Sequence, residues 1–103
     1  MANESVYIGT DLKIKVELTC EGFSMDENDF KVDIKCGNSA PITYNKSDFV
    51  EIDGDWYFYL DTDNLKGMVT LVATLYVPDD DYAAKEGIRR EVVKQDLFTV
   101  QRV

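Results

Sequence analysis

The amino-acid sequence predicts an all-β fold, namely an immunoglobulin-like Greek-key β-sandwich of about seven to eight strands, with a small β-barrel as the alternative. Apolar and polar side chains alternate along several segments, most regularly in residues 11–20. Turn-forming residues recur about every eight to twelve positions, and no segment has the period of an amphipathic helix. A chain of 103 residues can bury one hydrophobic core, so residues 1–103 are predicted to form a single sandwich domain.

The first half of the chain contains a short apolar segment at residues 6–8 and two alternating segments, residues 11–20 and 30–37. Each alternating segment predicts a strand with one buried and one solvated face. Residues 38–47 contain Pro41, which lacks the N–H that a ladder needs, so they predict an irregular crossing or an edge strand.

Two cysteines, Cys20 and Cys36, are in phase with the apolar residues of the alternating segments. Buried free thiols are the prediction, because an unpaired cysteine behaves as a small hydrophobe. A disulfide between them stays open, although the far ends of two simply paired antiparallel strands would not face each other.

A central hairpin is predicted by Asp53-Gly54, which separates the apolar segment VEI from the aromatic segment DWYFYL. Asp-Gly in such a place favours a tight turn because Gly adopts positive φ without steric cost. A two-residue loop would place Val50 and Ile52 on the face that carries Tyr57 and Tyr59.

A three-residue loop that ends at Gly54 pairs Val50 with Trp56 instead, and this register is the prediction because it gives the cleaner core. The predicted inner set is Val50, Ile52, Trp56, Phe58 and Leu60. The predicted outer set is Phe49, Glu51, Tyr57 and Tyr59.

The second half of the chain is dominated by residues 68–77, which contain neither Gly nor Pro and carry apolar side chains on both faces. This pattern predicts a central strand that ends at Pro78. After a connection of about ten residues, residues 88–103 return as an extended segment. The parity of its apolar residues changes, which predicts a bulge near Lys94 to Asp96.

The composition excludes several classes of function. The formal net charge of −9 opposes nucleic-acid phosphates, and there is no basic run, so nucleic-acid binding is not expected. The N-terminal residues lack the basic and apolar regions of a signal peptide, and no apolar run is long enough to span a bilayer. A soluble, unsecreted protein of the cytoplasm is therefore expected, or an extracellular one if a signal was removed.

No residue constellation predicts a reaction. The chain has no His, which excludes Ser-His-Asp triads, Cys-His dyads and nearly all catalytic zinc sites. Its six glycines are isolated and form no phosphate-binding loop. The many carboxylates crowd into turns, where Asp serves local hydrogen bonding. The protein is therefore predicted not to be an enzyme and to need no cofactor.

Calcium is the one ion that the sequence makes worth testing. Asp61 and Asp63 in one loop, and Asp79 and Asp81 in another that is expected to be adjacent, supply the oxygen ligands that calcium prefers. An EF-hand would need a Glu twelve positions into the loop, where this chain has Val72. Solvated turns without an ion are the competing interpretation.

Three aromatic residues on the predicted outer face of the hairpin, Phe49, Tyr57 and Tyr59, are the candidate interface. A tyrosine combines a large apolar ring with a polar tip, which suits protein contacts and stacking on sugars. The competing interpretation is that another strand or a loop covers them.

The segment YFYLDTDNLKGMVTLVATLYVPDDDYAAKEGIRREV, with the hairpin turn before it, resembles the second half of immunoglobulin-like modules in phage baseplate and tail proteins. It is similar in particular to the N-terminal domain of phage baseplate upper proteins and to related prophage modules. The matching pieces are Asp53-Gly54, Leu65 with Gly67, Pro78-Asp79, and Gly87-Ile88-Arg89. The resemblance implies an assembly role without catalytic residues and a location in the virion.

The leading hypothesis is accordingly a structural or adaptor module of a phage or prophage tail or baseplate, which associates with protein partners or with itself through sheet edges or the tyrosines. The alternative is a carbohydrate-binding or cell-surface adhesion module that uses the outer aromatic residues.

Overall fold

The computed structural model describes residues 4–37 and 39–102, which form two facing β-sheets and contain no α-helix. Two short 3₁₀ turns lie at Lys46–Asp48 and Ala83–Lys85. The strands of this part of the chain are β1 (Glu4–Tyr7), β2 (Asp11–Val16), β3 (Phe30–Cys36), β4 (Ile42–Asn45), β5 (Val50–Ile52), β6 (Asp55–Asp61), β7 (Gly67–Pro78) and β8 (Ile88–Gln101).

The large sheet has five strands in the order β1-β8-β7-β3-β4, and the small sheet has three in the order β2-β6-β5. Strand β1 is parallel to β8, and every other pair is antiparallel. The chain crosses between the sheets after β1, β2, β4 and β6. These crossings give the Greek-key connections of an immunoglobulin-like sandwich, so the predicted fold class is confirmed.

The core lies between the two sheets and is built from alternate residues of β3, β6 and β7. Phe30 of β3 lies at the centre of the aromatic residues of the core. Its ring is edge-on to three other rings, with centroid distances of 5.2 Å to Phe49, 5.6 Å to Trp56 and 6.4 Å to Phe23. Such edge-to-face pairs stabilise beyond the burial of their area. The apolar residues with the least exposure are Phe30, Val32, Ile34, Cys36, Phe58, Leu60, Val69, Ala73, Leu75, Val77 and Val100.

Strand β7 is central, as its pattern predicts, because it pairs with β3 on one side and β8 on the other. The register of β7 and β8 shifts between Val69 and Thr70, whose partners are Phe98 and Asp96. Leu97 is therefore the extra residue of a bulge, one position beyond the predicted site. The bulge restores an inward orientation to Phe98 and Val100.

Strand β2 ends at Val16, four residues before the end of the alternating segment that predicted it. Among the described residues, strand β4 pairs with β3 alone, so of the two predicted alternatives this segment is an edge strand.

Both cysteines are free thiols. Cys36 is buried, as predicted, and its Sγ lies 3.2 Å from the carbonyl oxygen of Lys66, whereas Cys20 is only half-buried. A small apolar thiol thus fills the end of β3 without a covalent bridge.

A buried threonine connects the two sheets at their first crossing. Thr62 follows β6, and its hydroxyl donates to the carbonyl of Thr10 at 2.8 Å and accepts the N–H of Gly9 at 3.0 Å. Its side chain is fully buried, and both hydrogen-bonding capacities are used. A buried hydroxyl is tolerated because its partners replace the water that it loses.

The predicted register of the central hairpin is wrong. Val50 is opposite Tyr57 and Ile52 is opposite Asp55, so the loop has two residues rather than three. Asp53 has φ of 52° and Gly54 has φ of 85°, as a type I′ turn requires, and this turn matches the twist of the flanking strands. The shift by one residue moves Val50 and Ile52 off the inner face.

We predict that two adjacent residues of β6 differ sharply in their contribution to stability. Phe58→Ala is expected to lower the free energy of unfolding by about 3–5 kcal/mol, because it empties a buried site. Tyr59→Ala, on the opposite face, is expected to cost about 1 kcal/mol or less. Urea unfolding of both variants measures the difference, and equal losses would contradict the alternation of β6.

Candidate protein-binding face

The outer face of the small sheet carries two of the three aromatic residues predicted to form an interface. Tyr57 and Tyr59 project from β6 away from the core, and Tyr59 is 53% exposed while Tyr57 is half-buried. Both belong to the central strand of their sheet, with β2 on one side and β5 on the other. The two rings are therefore held on a paired backbone rather than on a loop.

Phe49 is not part of this face, and its predicted outward orientation is wrong. Its side chain is 8% exposed and contacts Phe30 and Phe58 with ring-centroid distances of 5.2 and 5.6 Å. The two-residue loop reverses the parity of the segment before the turn, so Phe49 points inward where Val50 had been expected.

Val50 and Ile52 take the outward positions instead. Val50 is 38% exposed and lies opposite Tyr57, and Ile52 is half-buried. Sequence reasoning missed both residues because it assigned them to the core. The two-residue loop, which was the alternative to the predicted three-residue loop, would have placed both residues on the outer face. We call the four outward residues, Val50, Ile52, Tyr57 and Tyr59, the tyrosine face.

Charged residues of β2 and β6 border the tyrosine face. The ammonium of Lys13 lies 4.6 Å from the centre of the Tyr57 ring, a cation–π contact. Lys15 pairs with Glu17 at 3.2 Å and with Asp55 at 3.4 Å. Hydrogen bonding to Glu17, followed by the charge of Asp55, raises the pKa of Lys15. An apolar and aromatic centre with a charged rim is the general anatomy of a protein interface.

Tyr44 supports the tyrosine face from the neighbouring sheet. Its hydroxyl donates to the carbonyl of Tyr59 at 2.9 Å, and its ring lies 4.7 Å from that of Phe58. Burial, followed by the charges of Asp48 and Asp61, raises the pKa of Tyr44 above its ordinary value. The bond ties edge strand β4 to the backbone of β6, which limits the movement of the tyrosine face.

The four aspartates predicted as calcium ligands do not come together. Asp61 and Asp63 lie before β7, and Asp79 and Asp81 lie after it, so the twelve residues of β7 separate the pairs by about 40 Å. The prediction of ligands on adjacent loops is therefore wrong.

Within each of these loops the carboxylates serve the turn. Asp61 accepts the N–H of Asp63 at 2.8 Å, and Asp79 accepts the N–H of Asp81 at 3.0 Å. The charge of Asp61 is the main cause that raises the pKa of Asp63. Such local bonding is the usual reason for Asp in a turn.

Within residues 4–37 and 39–102, no three or more Cys, Asp or Glu side chains are grouped so that they could hold a metal ion. Over the same part of the chain, no helix has the length and apolar character needed to cross a membrane.

Comparisons with protein-family models, with curated proteins and with solved structures find no match to the chain.

We predict that Tyr44 makes stability fall at alkaline pH. Its pKa is higher in the folded than in the unfolded chain, so its contribution is complete below the ordinary value of 10.0 and is lost as pH rises through the folded value. Ionisation also removes the proton donated to Tyr59. Urea unfolding between pH 8 and 11 should show a shallower fall for Tyr44→Phe than for Tyr82→Phe, which serves as the exposed control. If the free energy of unfolding falls equally with pH in both variants, Tyr44 does not cause the loss of stability.

Proposed function

We propose that the chain is a non-enzymatic structural or adaptor module that binds a protein partner through the tyrosine face, as a component of a phage or prophage tail or baseplate. The observation that carries the proposal is the group of exposed Val50, exposed Tyr59 and half-buried Tyr57 on the outer face of the small sheet. A contiguous apolar surface bordered by charges is typical of a site of protein contact.

Rigidity supports an assembly role for this surface. Tyr59 lies between buried Phe58 and buried Leu60, and the Tyr44 hydroxyl holds its carbonyl. A tyrosine on such a backbone loses little conformational freedom on binding, because its side chain has only two rotatable torsions before the hydroxyl. Binding energy is therefore not spent on ordering a loop.

The charges of the rim indicate the chemistry of the partner. Lys13 and Lys15 border the tyrosine face on one side, and Asp55 and Asp61 belong to the central strand itself. The chain as a whole is strongly acidic, with a formal net charge of −9. A partner surface with aromatic or aliphatic residues at its centre and both signs of charge at its border would fit this pattern.

The carbohydrate-binding alternative is less well supported by the geometry. A sugar that stacks on tyrosine needs an open ring face. The ammonium of Lys13 stands 4.6 Å over the Tyr57 ring and covers one of its faces, which leaves Tyr59 as the more open ring of the pair. The cation–π contact is compatible with a protein partner, which can contact Lys13 as well as the ring.

The proposal is tested by replacing Tyr59 with a photocrosslinking residue and irradiating the chain in extracts of its source cells. The crosslinked partner is then purified, and its binding to the unmodified chain is measured by titration calorimetry. Tyr59→Ser is expected to weaken binding by about tenfold or more, because exposed tyrosines at the centre of an interface are common hot spots. Tyr82→Ser, a partly exposed tyrosine outside the tyrosine face, is the matched control and should leave binding unchanged.

Two results would contradict the proposal. The first is a partner whose affinity is insensitive to Tyr59→Ser, since the tyrosine face would then be unused. The second is retention of the chain on a glycan array that Tyr57→Ala and Tyr59→Ala abolish, which would establish the carbohydrate-binding alternative.

A further inference from the structure

Strand β8 presents a long free edge on the large sheet. It has 14 residues, of which β1 pairs with four, Phe98–Gln101. Of the other ten, the nine from Ile88 to Asp96 pair with β7 on one side only, and Leu97 is the bulge residue. Among the described residues no strand pairs with the other side. An unprotected edge of this length is unusual, because its free N–H and C=O groups are a template for another strand.

The centre of this edge is apolar. Val92 is 61% exposed on the outer face of the large sheet, and Val93 is 39% exposed on the face toward the core. Val93 also borders a groove of about 260 Å³ between β8 and the chain around β2. The other apolar residues of that groove are Ile14, Val16, Leu18, Leu71 and Leu97. Packing of the chain on itself leaves most of Val92 and more than a third of Val93 exposed to solvent.

We infer that the free edge of β8 binds the same edge of a second copy of the chain, antiparallel and with Val93 opposite Val93 on a two-fold axis. The two large sheets then form one continuous sheet through main-chain hydrogen bonds. The occupant of the edge is thus another copy of this chain, and the argument for it is the order of charges along β8.

Geometry restricts the registers that a symmetric pair can adopt. Opposite residues in an antiparallel pair point to the same face, and a two-fold axis through such a pair is perpendicular to the sheet and preserves its faces. A residue of β8 can therefore face only residues of its own parity. The axis must therefore pass between one residue and the same residue of the other copy. Near the centre of the edge, the candidates for this residue are Glu91, Val92, Val93 and Lys94.

Charge selects one of these four positions. An axis at Glu91 sets Glu91 against Glu91, and an axis at Lys94 sets Lys94 against Lys94. An axis at Val92 sets Arg90 against Lys94 twice. Like charges directly opposite one another are unfavourable in a sheet. An axis at Val93 avoids all of these pairs.

The axis at Val93 also creates favourable pairs. It sets Arg90 of each copy against Asp96 of the other, both on the outer face of the large sheet. Asp96 accepts the hydroxyl of Thr70 at 2.9 Å, which orients the carboxylate on this face. Opposite charges facing each other across strands stabilise the pair.

Contacts within the chain are preserved in this arrangement. Arg89 binds Asp79 at 3.3 Å and Glu91 at 2.7 Å on the core-side face, and it is not needed for the cross-strand charge pairs. The two Val93 side chains meet on that same face, and Val93 borders the groove in each copy. Pairing therefore covers the exposed valine and the apolar border of the groove together.

This inference goes beyond the proposed function, because it concerns a different surface and a second copy rather than another protein. If the tyrosine face binds no partner, the inferred pairing of two copies through β8 is not affected. If β8 does not pair, the proposed role of the tyrosine face is likewise not affected.

Sedimentation analysis of the full chain from about 1 μM to about 1 mM tests the inference. The expected result is a reversible monomer–dimer equilibrium, with a dimer of twice the 11.7 kDa chain mass. Arg90→Glu and Asp96→Lys should each weaken the dimer by about tenfold, because each places two pairs of like charges in contact. The double variant Arg90→Glu/Asp96→Lys should recover the affinity to within about threefold.

Controls separate a loss of pairing from a loss of folding. Arg102→Glu reverses a charge outside the edge and should leave the dimer unchanged, and thermal unfolding of every variant confirms that it is folded. Amide hydrogen exchange should slow in residues 88–96 as the concentration rises, because edge N–H groups become hydrogen-bonded.

The inference is overturned by a chain that stays monomeric at the highest concentration. It is equally overturned by a dimer that tolerates both single reversals, or by a double variant that does not recover. A dimer that Tyr59→Ala abolishes and the β8 reversals leave intact would assign self-association to the tyrosine face instead.

Discussion

The edge-to-face contact of Phe30 with Phe49 and Trp56 is the interaction on which the surface of this protein depends. It joins β3 of the large sheet to both sides of the hairpin in the small sheet. Because Phe49 must point inward to reach Phe30, Val50 must point outward. The tyrosine face is thus a consequence of packing in the interior. It contains Val50 because Phe49 is the residue that packs in the aromatic cluster.

Alternation was sufficient to predict the sandwich, the central position of β7 and the change of parity in β8, because each depends on the order of residues within one segment. The hairpin register could not be derived in this way. Phe49 and Val50 are both apolar and adjacent, so local pattern favours neither as the buried residue. The choice is made by a ring on a distant strand and by a turn in which Asp53 as well as Gly54 has positive φ.

How well each candidate site could be predicted depends on whether its residues lie in one strand or are brought together by the fold. Tyr57 and Tyr59 could be recognised because one strand carries both of them. The aspartates could not be grouped correctly, since the length of β7 between the two loops decides their distance. The free edge of β8 was beyond sequence reasoning altogether, because it depends on how few residues of β1 reach that strand.

The buried hydroxyl of Thr62 has a consequence for how copies of the chain can associate. By holding Gly9 and Thr10, it anchors the segment that leads β1 away from the large sheet. A copy that donated its first strand to a neighbour would have to remake both bonds in the other molecule or leave buried polar groups without partners. Thr62 therefore opposes domain swapping and keeps the end of β8 covered by its own chain.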